Sequence, residues 1–157
     1  MGLDMYLNYE VYVGGKYKNV DGTITVPSGG SFLQKEDMNL NLKDITSITL
    51  ELGYWRKANA IHKWFVDKMA DGVDECQRIP VNQSNLKELK EICQKVVKEK
   101  KDTTSRRLLP TGSGFFFGDT EYGEYYYEDV EDTIKIIDAA LEKTKGLLGD
   151  FFYQASW

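Results

Sequence analysis

Residues 50–65 read LELGYWRKANAIHKWF, and how this stretch divides decides the fold. Running into it, Ile48, Leu50 and Leu52 alternate with Thr49 and Glu51, a period of two that predicts a strand ending at Gly53. Beyond it the period changes. At about 100° per residue, Tyr54, Ala58, Ile61, Phe65 and Met69 share one stripe, which predicts a helix from about Arg56 to Ala70 with that stripe on the core. Trp55, Asn59, His62 and Val66 form the stripe beside it, with Trp64, Lys57 and Lys68 on the other flank and Arg56 and Lys63 pointing outward. Asp71-Gly72 stops the helix. On this reading Arg56 and Lys57 occupy a helix N-terminus, where the dipole disfavours cations.

Working outward, Leu3, Met5, Leu7, Tyr9, Val11 and Val13 alternate with Asp4, Tyr6, Asn8, Glu10 and Tyr12, a half-buried strand. VGGK turns the chain, VDGTITVP carries an Asp21-Gly22 hairpin signal and a short strand ended by Pro27, SGGS is a flexible loop, and residues 31–47 are ambiguous. A second helix starts near Asn82, a good N-cap, and runs to about Lys100 with Leu86, Leu89, Cys93, Val96 and Val97 on its apolar face. Its lysine-rich end suits the dipole. Residues 103–129 read as a loop with a short apolar core. A third helix covers roughly Glu124–Lys145, with Val130, Ile134, Ile137 and Leu141 as its stripe, and GDFFYQASW closes as a strand. Strands, then helices, then a terminal strand predict an α+β fold: a small, mainly antiparallel sheet with about three helices packed on one face, in a single domain over residues 1–157.

Composition narrows the function. A formal net charge of -5 gives no chain-wide attraction for DNA, RNA or anionic lipid, so no direct nucleic-acid binding is expected. No apolar run approaches the ~20 residues of a membrane span. The start, MGLDMYLNYE, has no basic region of a signal peptide, and Tyr6 stands where myristoylation wants Ser or Thr. Cys76 and Cys93 form neither a disulfide framework nor a zinc spacing, so both are read as reduced thiols of a cytoplasmic protein, with no metal and no cofactor expected. Ten tyrosines, with apolar rings and polar tips, suit cores and binding surfaces alike.

Three groupings carry chemistry, each beside a plainer reading. In GYWRKANAIHKW, Arg56 and Lys57 can add charge-assisted hydrogen bonds to a phosphate or carboxylate, Trp55 and Trp64 can stack, and Asn59 and His62 can edge a pocket near Tyr54. The plainer reading packs the tryptophans, solvates the cations and bonds His62 to a carbonyl. TGSGFFFG, residues 111–118, lacks the Gly-Lys-Ser/Thr of a P-loop and the spacing of a dinucleotide fingerprint. Its glycines can still free backbone N–H groups, with Thr111 and Ser113 as donors and Phe115 as a wall, or it is a turn into a buried strand. The run Asp119–Asp132 holds seven carboxylates and no base, a metal or glycoside pair at one extreme and an ordinary helix start at the other. Tyr122 and Tyr126, four apart on one face, join the pocket before any carboxylate. A single histidine removes every mechanism that needs two. No Ser sits in G-x-S-x-G, so no catalytic set is assigned beyond His62 should the protein be an enzyme.

The stretches MGLDMYL, YWRKANAIHKWFV and LPTGSGFFFGDTEYGEYYYEDVEDTI resemble a family of small, largely uncharacterised proteins of bacteriophages and prophages. The resemblance covers the start of the chain, the first helix and about residues 108–137, and does not extend to 14–45. It brings no established activity. It implies a setting, the cytoplasm of an infected bacterium, where small non-virion proteins often counter host defence, one strategy being to bind the nucleotide messengers that defence systems make. Setting and inventory together predict a protein that binds a nucleotide-like anion and sequesters a defence signal. Its ligand set would be Tyr54, Trp55, Arg56, Lys57, Asn59, His62, Trp64, Thr111, Ser113, Phe115, Tyr122 and Tyr126. One alternative is a hydrolase or transferase acting on a nucleotide derivative, with His62 as acid and base. Another is an inhibitor that presents its acidic 119–132 face to a basic host protein. A homo-oligomer is an open expectation, since pockets of such binders often lie between subunits.

Overall fold

The computed structural model describes residues 2–13, 22–26 and 38–157. Residues 14–16 of the VGGK turn, Asp21, Pro27, the SGGS loop and the first part of the ambiguous 31–47 stretch lie outside the described residues.

Among the described residues the strands and α-helices run β1 (Asp4–Tyr12), β2 (Thr23–Val26), β3 (Met38–Asn41), β4 (Ser47–Arg56), α1 (Asn59–Met69), β5 (Ile79–Val81), α2 (Gln83–Glu99), α3 (Asp102–Leu108), α4 (Glu124–Lys143) and β6 (Gly149–Ser156). A 3-10 turn, Leu42–Asp44, precedes β4. Four strands form one antiparallel sheet in the order β4-β1-β6-β5, and β2 pairs with β3 separately. The fold is thus a small α+β one with a mainly antiparallel sheet. No described helix is long and apolar enough to cross a membrane.

The period of two in β1 does what alternation requires. Met5, Leu7 and Tyr9 are buried, and the strands on either side add Trp55, Phe151, Tyr153 and Ala155 to the same face. Helices cover that face. Phe65 of α1 stacks on Tyr153 of β6 with ring centroids 4.1 Å apart and planes 10° apart. Trp55 Nε1 of β4 donates to Thr133 Oγ1 of α4 at 2.9 Å. Gly53 lets α4 approach: a Cβ there would lie 2.3 Å from Ile136 Cγ2. The β1–β4 register shifts between Leu7 and Asn8, a bulge that puts Glu51 and Tyr54 on one side despite their odd spacing. α2 packs against α4 through buried Leu86, Leu89, Cys93 and Val96. Burial pushes the Cys93 thiol up to about 12, so it stays protonated and serves as a small apolar side chain. The other sheet face carries Asp4, Tyr6, Tyr54 and Phe152; Tyr54 donates to Asp4 Oδ1 at 2.5 Å, and the Arg78 guanidinium lies 3.5 Å from the Phe152 ring centre.

Three expectations change. The strand before α1 continues through Arg56, and the helix begins at Asn59. Ladder pairing with β1, down to Asp4 opposite Arg56, outweighs the helical period of residues 54–58. Tyr54 therefore leaves the core stripe for the open sheet face, where it is 44% exposed. Residues 103–108, read as loop, belong to α3, and residues 79–81, which carry no predicted element, form β5. Both are too short to show a period, and Pro80 is tolerated because β5 is an edge strand. Among the described residues four helices pack with the sheet, in keeping with the small α+β fold expected.

Candidate functional site

The site is built where β4 hands over to α1. Lys57 adopts a left-handed conformation, φ 62°, unusual for a residue with a side chain. Its N–H donates to Leu3 O at 2.8 Å, which continues the sheet by one bond. Ala58, with φ −72° and ψ 66°, is the centre of an inverse γ-turn closed by Asn59 N–H on Lys57 O at 2.8 Å. The chain thus reverses within two residues. Arg56 and Lys57 are left exposed outside the helix, so the dipole conflict read from the sequence does not arise.

A second segment closes over this corner. Asn59 Nδ2 donates to Phe117 O at 3.0 Å and Asp119 O at 2.7 Å, and its Oδ1 accepts from Gly112 N–H at 3.1 Å. One buried amide therefore pins the 112–119 loop to the first turn of α1. Thr111 Oγ1 donates to Thr120 O at 3.0 Å, and Thr111 N–H donates to Tyr122 Oη at 3.2 Å. Tyr126 Oη donates to Leu109 O at 2.9 Å. Between these walls lies a cavity of about 350 Å³, within the range of small-molecule sites. Arg56, Lys57, Asn59, Thr111 and Tyr126 line it, together with Asp119, Glu121, Tyr125, Glu128 and Asp129.

Its electrostatics are mixed. Arg56 Nε stands 4.0 Å from Asp4 Oδ1, too far for a hydrogen bond, and the side chain is 60% exposed. Asp129 makes no side-chain hydrogen bond or ion pair among the described residues. Burial, and then the nearby charges of Asp132 and Glu128, push its carboxyl up to about 6. Arg56 and Asp129 also line a second hollow of about 320 Å³ with Tyr54, Trp55, Asp132 and Lys135. Among the described residues no three of His, Cys, Asp or Glu gather as a metal-binding group.

The remaining sequence candidates lie elsewhere. Trp55 is 4% exposed, and with Tyr54 it reaches only the second hollow. Trp64 borders a separate groove of about 190 Å³ with Lys63, Lys68 and Pro110. Ser113 is exposed, and Phe115 is 95% exposed at the loop tip, against Phe116. Tyr122 braces the loop beneath Arg106, whose guanidinium lies 4.6 Å from the ring centre. His62 is 2% exposed and lines none of these hollows. Its Nδ1 lies 2.7 Å from Tyr153 Oη and its Nε2 2.9 Å from Asp74 Oδ2, with Phe117 packed edge-on at 5.0 Å. Burial, with the negative charge of Asp74, holds the Tyr153 hydroxyl well above its ordinary value, so it remains protonated. His62 is thus a satisfied core group, bonded to side chains rather than to a carbonyl.

Reasoning from the sequence passed over Asp129 and Tyr125 as cavity residues. Asp129 follows Tyr126 by three positions on α4, the spacing of helix-face neighbours, and that spacing was the available signal. Comparison with family models, with curated proteins and with solved structures finds no match for this chain.

Proposed function

We propose that the protein binds a small molecule bearing an acidic, nucleotide-like group in the cavity between the end of β4 and the start of α4. The observation that carries this reading is convergence: Arg56 and Lys57 share one hollow with Thr111 and Tyr126, from a segment more than fifty positions away. Arg56 and Lys57 pair with the acidic group, Thr111 borders it, and the rings of Tyr125 and Tyr126 supply wall surface. In the phage setting that the sequence resemblance implies, the role put forward is sequestration of a host defence signal.

Turnover by His62 would need the Tyr153–His62–Asp74 chain to open to a substrate, whereas binding needs no such change. The acidic 119–132 run, the basis of the protein-inhibitor alternative, lends Asp119, Glu121, Glu128 and Asp129 to the cavity.

Calorimetric titration of the wild-type protein with nucleoside monophosphates and cyclic dinucleotides tests the reading. One of them is expected to bind, and Arg56→Ala to weaken it by roughly 10- to 100-fold, the worth of a charged hydrogen bond. Absence of heat from every member of the panel, with no small molecule co-purifying by mass spectrometry, would overturn it.

A further inference from the structure

The cavity holds more acid than base. Against Arg56 and Lys57 it sets Asp119, Glu121, Glu128 and Asp129. A ligand that was anionic throughout would gain at two side chains and be repelled at four. Asp129 is the sharpest of these. The cations that share its hollows do not bond to it: Lys135 pairs with Asp132 at 2.7 Å, and neither Arg56 nor Lys57 forms an ion pair with it among the described residues. No described side chain donates to it. Its backbone is anchored within α4, where its carbonyl accepts from Thr133 Oγ1 at 2.7 Å and Thr133 in turn accepts from Trp55. The result is a half-buried carboxyl on a cavity wall without a donor, an arrangement that costs free energy until a donor arrives.

Resting on the binding role proposed above, we infer that the ligand of this cavity also carries an N–H donor edge, and that Asp129 accepts it and sets the specificity of the site. The donor is an amine, an amidine or the amino edge of a purine, chemistries that a carboxylate reads in the same way by accepting one or two N–H bonds. The ligand is then a mixed-character molecule, acidic where it meets Arg56 and Lys57 and N–H-bearing where it meets Asp129. A polyphosphate fits this wall poorly. The raised Asp129 carboxyl is in keeping with the assignment, since an incoming donor favours its ionised form.

Two matched pairs of probes test this and separate the sources. Guanosine and inosine monophosphates differ by one amino group on the base. Arginine and citrulline differ by a guanidinium against a neutral urea. Wild-type protein is expected to prefer the donor-rich member of one pair by about tenfold, and Asp129→Asn to bring that pair to within about twofold, as loss of a carboxylate acceptor predicts. Circular dichroism and a thermal melt establish that this near-isosteric variant is folded. Equal affinities within both pairs, or a preference that survives Asp129→Asn, would overturn the inference and leave the binding role standing. No binding of any of the four, together with silence from the nucleotide panel, would overturn both.

Discussion

At His62 the chain closes a polar network, and a few positions earlier, at Arg56, it leaves one open. The imidazole has both nitrogens bonded, to Tyr153 and Asp74, and is walled by Phe117 and Trp157. Arg56 and Asp129 border the same two hollows, and neither has a close hydrogen-bond partner among the described residues. Buried polar groups whose hydrogen bonds are complete act as structure. Groups held in place but left unpaired have capacity for something that is not part of the chain. The difference shows why a lone histidine beside tryptophans is poor evidence of chemistry, while an unpaired carboxyl that lines a cavity with an arginine is better evidence of recognition.

The largest effect should come from attacking the closed side. His62→Phe strands the Tyr153 hydroxyl and the Asp74 carboxylate, and is expected to destabilise the fold by about 2–4 kcal/mol in urea unfolding. Ligand binding by the folded fraction should persist. If binding vanished while stability held, the contrast between the two regions would be broken. Asn59→Ala tests the boundary between them. It frees two carbonyls and one N–H of the 112–119 loop and should cost about 1–3 kcal/mol. Hydrogen exchange at Gly112 should accelerate well beyond that in α2, and unchanged protection there would mean that the loop is held by other means.

The smallest stability effect belongs to the open side and depends on pH. The Asp129 carboxyl sits at about 6 in the fold, above the ordinary ~3.9 of an unfolded aspartate. A raised carboxyl favours the folded state most when it is protonated. Its contribution is therefore full below about pH 4, is lost as pH rises through 6, and becomes a constant penalty above that. Asp129→Asn should accordingly stabilise the protein by about 1–2 kcal/mol at pH 8, after allowance for solvent screening, and by close to nothing at pH 4. Thermal melts at the two pH values measure this, and an equal gain at both would mean that the carboxyl is not perturbed by its surroundings.

Much of the fold is legible in the amino-acid order because the long elements have clean periods. β1 shows its alternation, α2 and α4 show their stripes, and Asn82 marks a helix start where its N–H donates to Asn85 Oδ1 at 3.0 Å. Residues 54–58 mislead because an apolar pattern of that length fits a strand as well as a helix, and the partner that decides, β1, is distant in sequence. The site is legible at the level of segments and less so at the level of side chains. Residues near 56 and near 111–126 do meet, but helical stripes do not reveal which layer each stripe faces. Stripe position therefore grouped Trp55, Asn59 and His62, which the structure sends respectively to α4, to a loop backbone and to β6. Asp129 was hidden for a different reason: in a run of carboxylates nothing local marks the one that lacks a neighbour of opposite charge.

The strand order has a bearing on how the chain reaches this state. β6, from the last tenth of the sequence, lies between β1 and β5, and Tyr9 donates to Leu147 O across 138 positions. Until residues 149–156 leave the ribosome, β1 has an open edge and Phe65 lacks the ring it stacks on. Assembly of the central sheet therefore waits for the β6 segment, with the slow, topology-limited kinetics expected of distant pairings. A nascent chain stalled short of β6 would expose β1 to aggregation and to proteases.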